Sequence, residues 1–223
     1  MHRGELRLSE ELGQFSQMIK CVCYDLGGVL VRIRPTWHQA IAACGIEPEG
    51  ELRELDSQPE FREYQLGLIG EIPYLEALSK ALGSDGVGIE VAKSIHEAIL
   101  VEPYPETVEL VTELQRKGVA TGCLSNTNEL HWRRLIDPMF TPAIAMIQHK
   151  LASHIEHLAK PSREIYQRFE EMSGFQPEEI VYFDDSETYV EAAKSYGWKG
   201  FHIDPSGSTS DQMRKTLKTL DLL

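Results

Sequence analysis

The stretch Ile19-Lys20-Cys21-Val22-Cys23-Tyr24-Asp25-Leu26-Gly27-Gly28 is a short, nearly continuous apolar run that stops at an acid and a glycine pair. A strand with one wet face alternates polar and apolar residues; a run without alternation suits a strand buried on both faces, as in a parallel sheet. Working outward, three comparable runs appear at 118–125 (GVATGCLS), 179–185 (EIVYFDD) and 199–204 (KGFHID). Each follows a helical stretch, TVELVTELQRK, EIYQRFEEMSG and YVEAAKSYG, and each stretch ends near a glycine placed as a helix C-cap requires. Alternating helices and strands predict an α/β fold, a doubly wound parallel sheet with right-handed crossovers. The run AIAMIQ at 143–148 is expected to add a further strand.

Residues 33–103 contain helical spacing (IAACGI, LRELDSQPEFREY, YLEALSKAL, VAKSIHEAIL) and no evident strand run. They read as an inserted α-helical cap, its edges marked by Pro35, Pro103 and Pro105. The expected organisation is an N-terminal arm at 1–18, a core formed by 19–32 and 104–223, and the cap between them.

The 223 residues carry 22 Lys+Arg against 35 Asp+Glu, a net charge of −13, which argues against binding nucleic acid through its phosphate backbone. A hydrophobic fraction of 42% with 26% charged residues is that of a globular protein and excludes disordered and collagen-like classes. No stretch has the length of a membrane span, and the N-terminus lacks the order of a signal peptide, so a cytoplasmic protein without a membrane partner is expected. Cys21, Cys23, Cys44 and Cys123 are expected to be reduced core residues, and His149, His154 and His157 surface residues, since neither group completes a zinc set.

Ligands of an open parallel sheet bind beyond the carboxyl ends of its strands. There the sequence places Asp25, Ser125-Asn126 and Asp184-Asp185, with Lys160-Pro161 opening the helix before the third of these. Several carboxylates on one rim need a neutralising cation, and an all-oxygen set suits Mg²⁺. A carboxylate can attack phosphorus while a cation, an ammonium and hydroxyl or amide donors offset the developing charge. Each residue also has a plainer reading: a loop cap for Asp25, an N-cap pair for Ser125-Asn126, a solvated loop for the two acids and a surface lysine for Lys160.

Taken in order, DLGGVL, LSNTN, KPSREIYQ and FDDS resemble the four motifs of the haloacid dehalogenase-like (HAD) hydrolases, over about residues 19–204. The resemblance implies a HAD-like Rossmannoid core with a helical cap. It also implies Asp25 as nucleophile, with Ser125 and Lys160 catalytic and Ser125, Asn126 and Lys160 binding phosphate. Metal contacts come from Asp25, the Gly27 carbonyl and Asp185, with Asp184 placed second to Asp185. The motifs are also similar to a bacterial subgroup that includes glucose 1-phosphate phosphatases, which implies Mg²⁺-dependent hydrolysis of a small phosphorylated metabolite. Alternatives are haloacid dehalogenase-type hydrolysis and a catalytically weak protein that binds a phosphometabolite.

Three positions depart from the family pattern. Gly27 stands where most of its phosphatases carry an acid-base Asp, Tyr189 where an acidic or amide residue of the metal loop is frequent, and His157 where Gly is common. In the cap, Arg32, Arg34, Trp37 and His38 follow the first motif closely enough to face a substrate, although solvated charge and helix packing account for them equally well.

Overall fold

The computed structural model describes residues 19–47, 58–82 and 87–223; the expected arm at 1–18 lies outside them. In chain order, β1 (Cys21–Tyr24) and β2 (Val31–Ile33) precede four helices, α1 (Trp37–Ala43), α2 (Pro59–Gln65), α3 (Glu71–Ala81) and α4 (Ile89–Glu97). Next come β3 (Leu100–Pro103), α5 (Thr107–Arg116), β4 (Ala120–Ser125), α6 (Glu129–Leu135), α7 (Pro142–Met146), β5 (His149–Ala152) and α8 (Ser153–Glu156). The chain ends with α9 (Arg163–Ser173), β6 (Ile180–Asp184), α10 (Glu187–Ser195), β7 (Lys199–His202) and α11 (Thr209–Thr219).

Five strands pair in parallel in the order β5-β4-β1-β6-β7. The chain winds outward from β1 through β4 to β5, then returns past β1 to β6 and β7, which puts the topological switch point beside β1. The apolar runs bury on both faces. One face packs Val22, Tyr24, Cys123, Val181 and Phe183 against α5 and α11, and the other packs Cys21, Cys23, Leu124 and Tyr182 against α9. Gly118, Gly174 and Gly197 end their helices at positive φ (80°, 77° and 97°), as their spacing requires. Cys21, Cys23 and Cys123 are free and buried, whereas Cys44 is half-buried.

Two strand expectations change. The run 143–148 is not a strand: Pro142–Met146 is helical and β5 begins at His149. Proline at a helix start loses no hydrogen bond, and Ala143, Ile144 and Ile147 bury in the core from that helix, a placement that an apolar run alone does not distinguish from a strand. The insertion is also not wholly helical at its edges. Val31–Ile33 and Leu100–Pro103 pair antiparallel in a two-stranded ribbon, so the boundaries expected at 33 and 103 fall on the two strands of this neck.

Beyond the neck, the apolar faces of α1 to α4 share a cluster of Trp37, Ile41, Tyr64, Tyr74, Leu75, Leu78 and Ile95, joined by Leu130 from α6. Tyr64 and Tyr74 stack with centroids 4.2 Å apart, and the Leu130 amide donates to the Tyr64 hydroxyl (3.2 Å). Two buried imidazoles complete this junction, His96 from α4 and His131 from α6, stacked at 4.0 Å. His131 Nε2 donates to the His96 carbonyl (2.9 Å), His96 Nε2 to Asn128 Oδ1 (3.1 Å), and the Tyr74 hydroxyl to His96 Nδ1 (2.7 Å). The Asn128 amide lies 3.5 Å from His131 Nδ1, so each ring donates once and accepts once, the pattern of neutral imidazole. Burial holds both rings below their ordinary pKa, His131 at about 4.

Two outcomes test this packing. A Cβ on Gly122 would sit 2.4 Å from the Phe169 ring, so Gly122→Ala is expected to destabilise the core by roughly 1–3 kcal/mol. Urea unfolding should show a lower midpoint with an unchanged slope. An imidazole depressed to about 4 lends stability above its unfolded value near 6.5 and loses it as pH falls toward 4. The melting temperature should therefore drop across that window, by the equivalent of about 3 kcal/mol for His131 alone, and His131→Gln should flatten that acid limb.

Candidate active site

Register brings the acids together. Tyr24 lies opposite Phe183 in β6 and Cys123 in β4, so the next residue, Asp25, is level with Asp184 and Leu124, and Ser125 stands one step further along β4. Ligand oxygens of Asp25, Asp184 and Asp185 all lie within 4.8 Å of one another. The loop after β1 passes these acids tightly. Gly28 has φ 76° and an added Cβ would fall 2.2 Å from Asp185 Oδ2, so both the turn and the close approach require glycine here.

Lys160 enters from the loop before α9 and is 4% exposed. Its Nζ donates to Asp25 Oδ1 (2.8 Å), Asp184 Oδ2 (2.7 Å) and the Tyr182 hydroxyl (2.9 Å). Tyr182 also donates to Asp184 Oδ2, and the Ser186 amide donates to Asp184 Oδ1 (2.8 Å). Both Asp184 oxygens are thus engaged, whereas Asp185 is half-buried and turned toward the Gly28 loop.

Burial pushes the Asp25 carboxyl up to about 7; Lys160 opposes this, and Asp184 and Asp185 add to it. Burial and the Asp184 charge likewise raise Asp185. Burial alone would lower Lys160, but Asp25 and Asp184 more than compensate and hold it charged. Three carboxylates around one ammonium leave an excess of negative charge in a largely dry site. The all-oxygen donor set fits a hard divalent cation, which would favour the ionised carboxylates.

The Asn126 side chain is engaged with the segment that carries Lys160. Its carboxamide accepts from the Lys160 amide (2.8 Å) and donates to the Lys160 carbonyl (3.0 Å) and the Tyr189 hydroxyl (3.3 Å). The side chain therefore fixes the backbone on which Lys160 is mounted. Tyr189, one of the departures, lies with its ring 4.8 Å from Lys160 Nζ, so an aromatic face stands beside the ammonium where the family often has a polar residue. His157 is left-handed at φ 57°, which accounts for the glycine common at that position, and its Nδ1 donates to the cap carbonyl of Leu66 (2.7 Å).

Other expectations need correction. His154 is buried, 3.3 Å from Glu129, rather than on the surface, and His149 packs edge-on against Phe175. Arg32 pairs with Glu102 (3.5 Å) and covers the Tyr104 ring. Arg34, Trp37 and His38 do line the cavity between cap and core, which is about 1280 Å³ and is walled on the core side by Asn126, Thr127, Lys160 and Tyr189. Sequence reading missed Tyr182 and Ser153. Ser153 Oγ has the Gln65 (2.7 Å) and Thr127 (2.8 Å) carbonyls as alternative acceptors for its one proton and accepts from the Thr127 amide (2.9 Å), placing it between cap and core. Tyr182 sits two residues before Asp184 on the same side of β6, but a tyrosine in an apolar strand carries no signal of its own.

Comparison with known proteins agrees with this geometry. The model of the haloacid dehalogenase-like hydrolases matches residues 19–197. Phosphatase MT3486 of Mycobacterium tuberculosis is 25% identical over 148 residues, 66% of this chain and 67% of that protein. A HAD family enzyme of Bacteroides thetaiotaomicron, BT-2542, solved with magnesium and inorganic phosphate, superposes with a TM-score of 0.75 at 23% identity, covering 88% of this chain and 100% of that one. The L-2-haloacid dehalogenase of Xanthobacter autotrophicus shares the fold at a TM-score of 0.60 and 20% identity, covering 83% and 78% of the two chains. No helix among the described residues is long and apolar enough to cross a membrane. A match that spans four of the five parallel strands, the rim acids and the insertion identifies the chain as a member of the haloacid dehalogenase-like hydrolases.

Proposed function

We propose that the chain is a Mg²⁺-dependent phosphatase acting on a small phosphomonoester, with sugar phosphates favoured. The observation that carries this reading is the cluster of Asp25, Asp184 and Asp185 around Lys160, three acids gathered within 4.8 Å where a cation would sit. Asp25, the Gly27 carbonyl and Asp185 would hold Mg²⁺, with Asp184 occupied chiefly in holding Lys160. When bound, the ion supplies charge neutralisation and polarises the phosphoryl group.

Lys160 holds Asp25 by Oδ1, which leaves Oδ2 to attack phosphorus in line and break the ester bond, the leaving oxygen departing as an anion that solvent protonates. Water then hydrolyses the aspartyl-phosphate and regenerates the carboxylate. Ser125 and Lys160 orient the phosphoryl oxygens; Asn126 contributes by fixing the Lys160 backbone. Dehalogenation needs no cation and so gives no reason for three adjacent acids, which ranks it second. Gly27 offers no side-chain acid to the departing oxygen, which favours leaving groups that depart as stable anions.

p-Nitrophenyl phosphate should be hydrolysed with Mg²⁺ and not in excess chelator, with a loss of roughly 10³-fold or more in Asp25→Ala. Calorimetric titration should show inorganic phosphate binding only when Mg²⁺ is present. Undiminished turnover in Asp25→Ala, or halide release from a 2-haloacid in chelator, would overturn the reading. A second outcome concerns the missing acid. A Cβ at Gly27 meets Ile33 at 3.4 Å, an ordinary contact, so Gly27→Asp should fold. It should raise turnover of alkyl phosphates relative to p-nitrophenyl phosphate by ~10²-fold, the lower range for a general acid.

A further inference from the structure

The cavity above Lys160 differs in charge from the rest of the molecule. The chain carries a net charge of −13, yet among the described residues no Asp or Glu lines this space. Its formal charges are Lys160 at the base and Arg34 and Arg62 on the cap side. Lys160 is committed to Asp25 and Asp184. The lining imidazoles His96 and His131 are held neutral by burial. Arg34 and Arg62 form no ion pair among the described residues. Arg34 follows the neck strand β2 and is anchored when one Nη1 donor engages the Ala98 carbonyl, which leaves the remaining guanidinium donors for another acceptor. Arg62 is exposed and stands at the mouth of the cavity on α2, beside Phe61, whose ring meets Trp37 edge-on at 5.5 Å in the same wall.

A cavity that presents two guanidinium groups and no carboxylate suits an anionic ligand, and an arginine fork matches the planar or tetrahedral oxygens of a carboxylate or phosphate. We propose that Arg34 and Arg62 form an anion subsite for the leaving group, so that preferred substrates are phosphomonoesters bearing a second acidic group. The carboxylate and phosphate cases share this chemistry. The proposal rests on the phosphatase reading for its kinetic test but has a binding test of its own.

Three six-carbon sugar phosphates separate the cases: glucose 6-phosphate has a neutral leaving group, 6-phosphogluconate carries a carboxylate and glucose 1,6-bisphosphate carries a second phosphate. With Mg²⁺, one or both acidic esters should exceed glucose 6-phosphate in kcat/KM by about tenfold or more, mainly through KM. Which of the two is better assigns the group. Arg62→Gln, and Arg34→Gln as a second variant, should collapse that ratio toward one. Trp37 lines the cavity, so fluorescence titration reads binding without turnover and should show the same preference and its loss. A neutral ester equal to or better than both acidic ones, or variants that weaken all three esters in proportion, would overturn the subsite. Absence of any Mg²⁺-dependent turnover of p-nitrophenyl phosphate would instead overturn the phosphatase reading, with the fluorescence preference still deciding the subsite.

Discussion

The ammonium of Lys160 lies between two carboxylates from neighbouring strands, and the rest of the structure is arranged around that contact. Parallel pairing of β1 with β6 puts Asp25 level with Asp184, at a separation that neither charge would tolerate alone in a buried setting. A buried ion pair contributes little net stability, but removing one partner costs about 3–5 kcal/mol, because the other charge remains out of water. The site therefore depends on everything that delivers Lys160: the Asn126 carboxamide gripping its backbone, the Tyr182 hydroxyl sharing its proton field, and the Tyr189 ring beside it. These residues come from four separate stretches of chain. Only a sheet whose crossovers return both outer halves to β1 brings them to one rim.

The features legible in the sequence are those with a local physical signature. Strands such as EIVYFDD announce themselves because burial on both faces forbids polar alternation, and an acid directly after such a run has nowhere to sit but the rim. Elements without that signature were not legible. The run AIAMIQ is short enough to bury as either helix or strand, and Pro142 at its start decides for helix. The ribbon of β2 and β3 joins three residues to four across almost seventy positions, with prolines nearby that argue against a ladder. At the site, the charged residues could be found from position, whereas Ser153 and His96 act through partners distant in sequence, and Tyr182 and Asn128 through contacts such as Lys160 and His96 that no local pattern reveals. The family departures were legible as departures, but their meaning required the fold. Tyr189 turns an aromatic face to Lys160, and His157 tolerates a left-handed turn while reaching the cap.

Two kinds of polar burial coexist a short distance apart, and they are segregated. At the junction of cap and core, His96, His131, Asn128 and Tyr74 satisfy one another as neutral groups, so the cap is held without importing charge into the cavity wall. At the rim, charge is concentrated: three carboxylates lie together against one buried ammonium. An ion pair also spans the junction, Glu71 of α3 with Arg133 of α6, but it sits on the partly exposed side and neither residue lines the cavity. With the histidines of the junction neutral, Arg34 and Arg62 are the charges a leaving group would meet on the cap side. The acidic exterior works against anions at long range, so selection has to occur after entry, where desolvation makes a guanidinium contact strong. A net charge that repels anions in bulk is thus compatible with the proposed anion selection inside the cavity, because the repulsion decays within a Debye length while a guanidinium acts at contact.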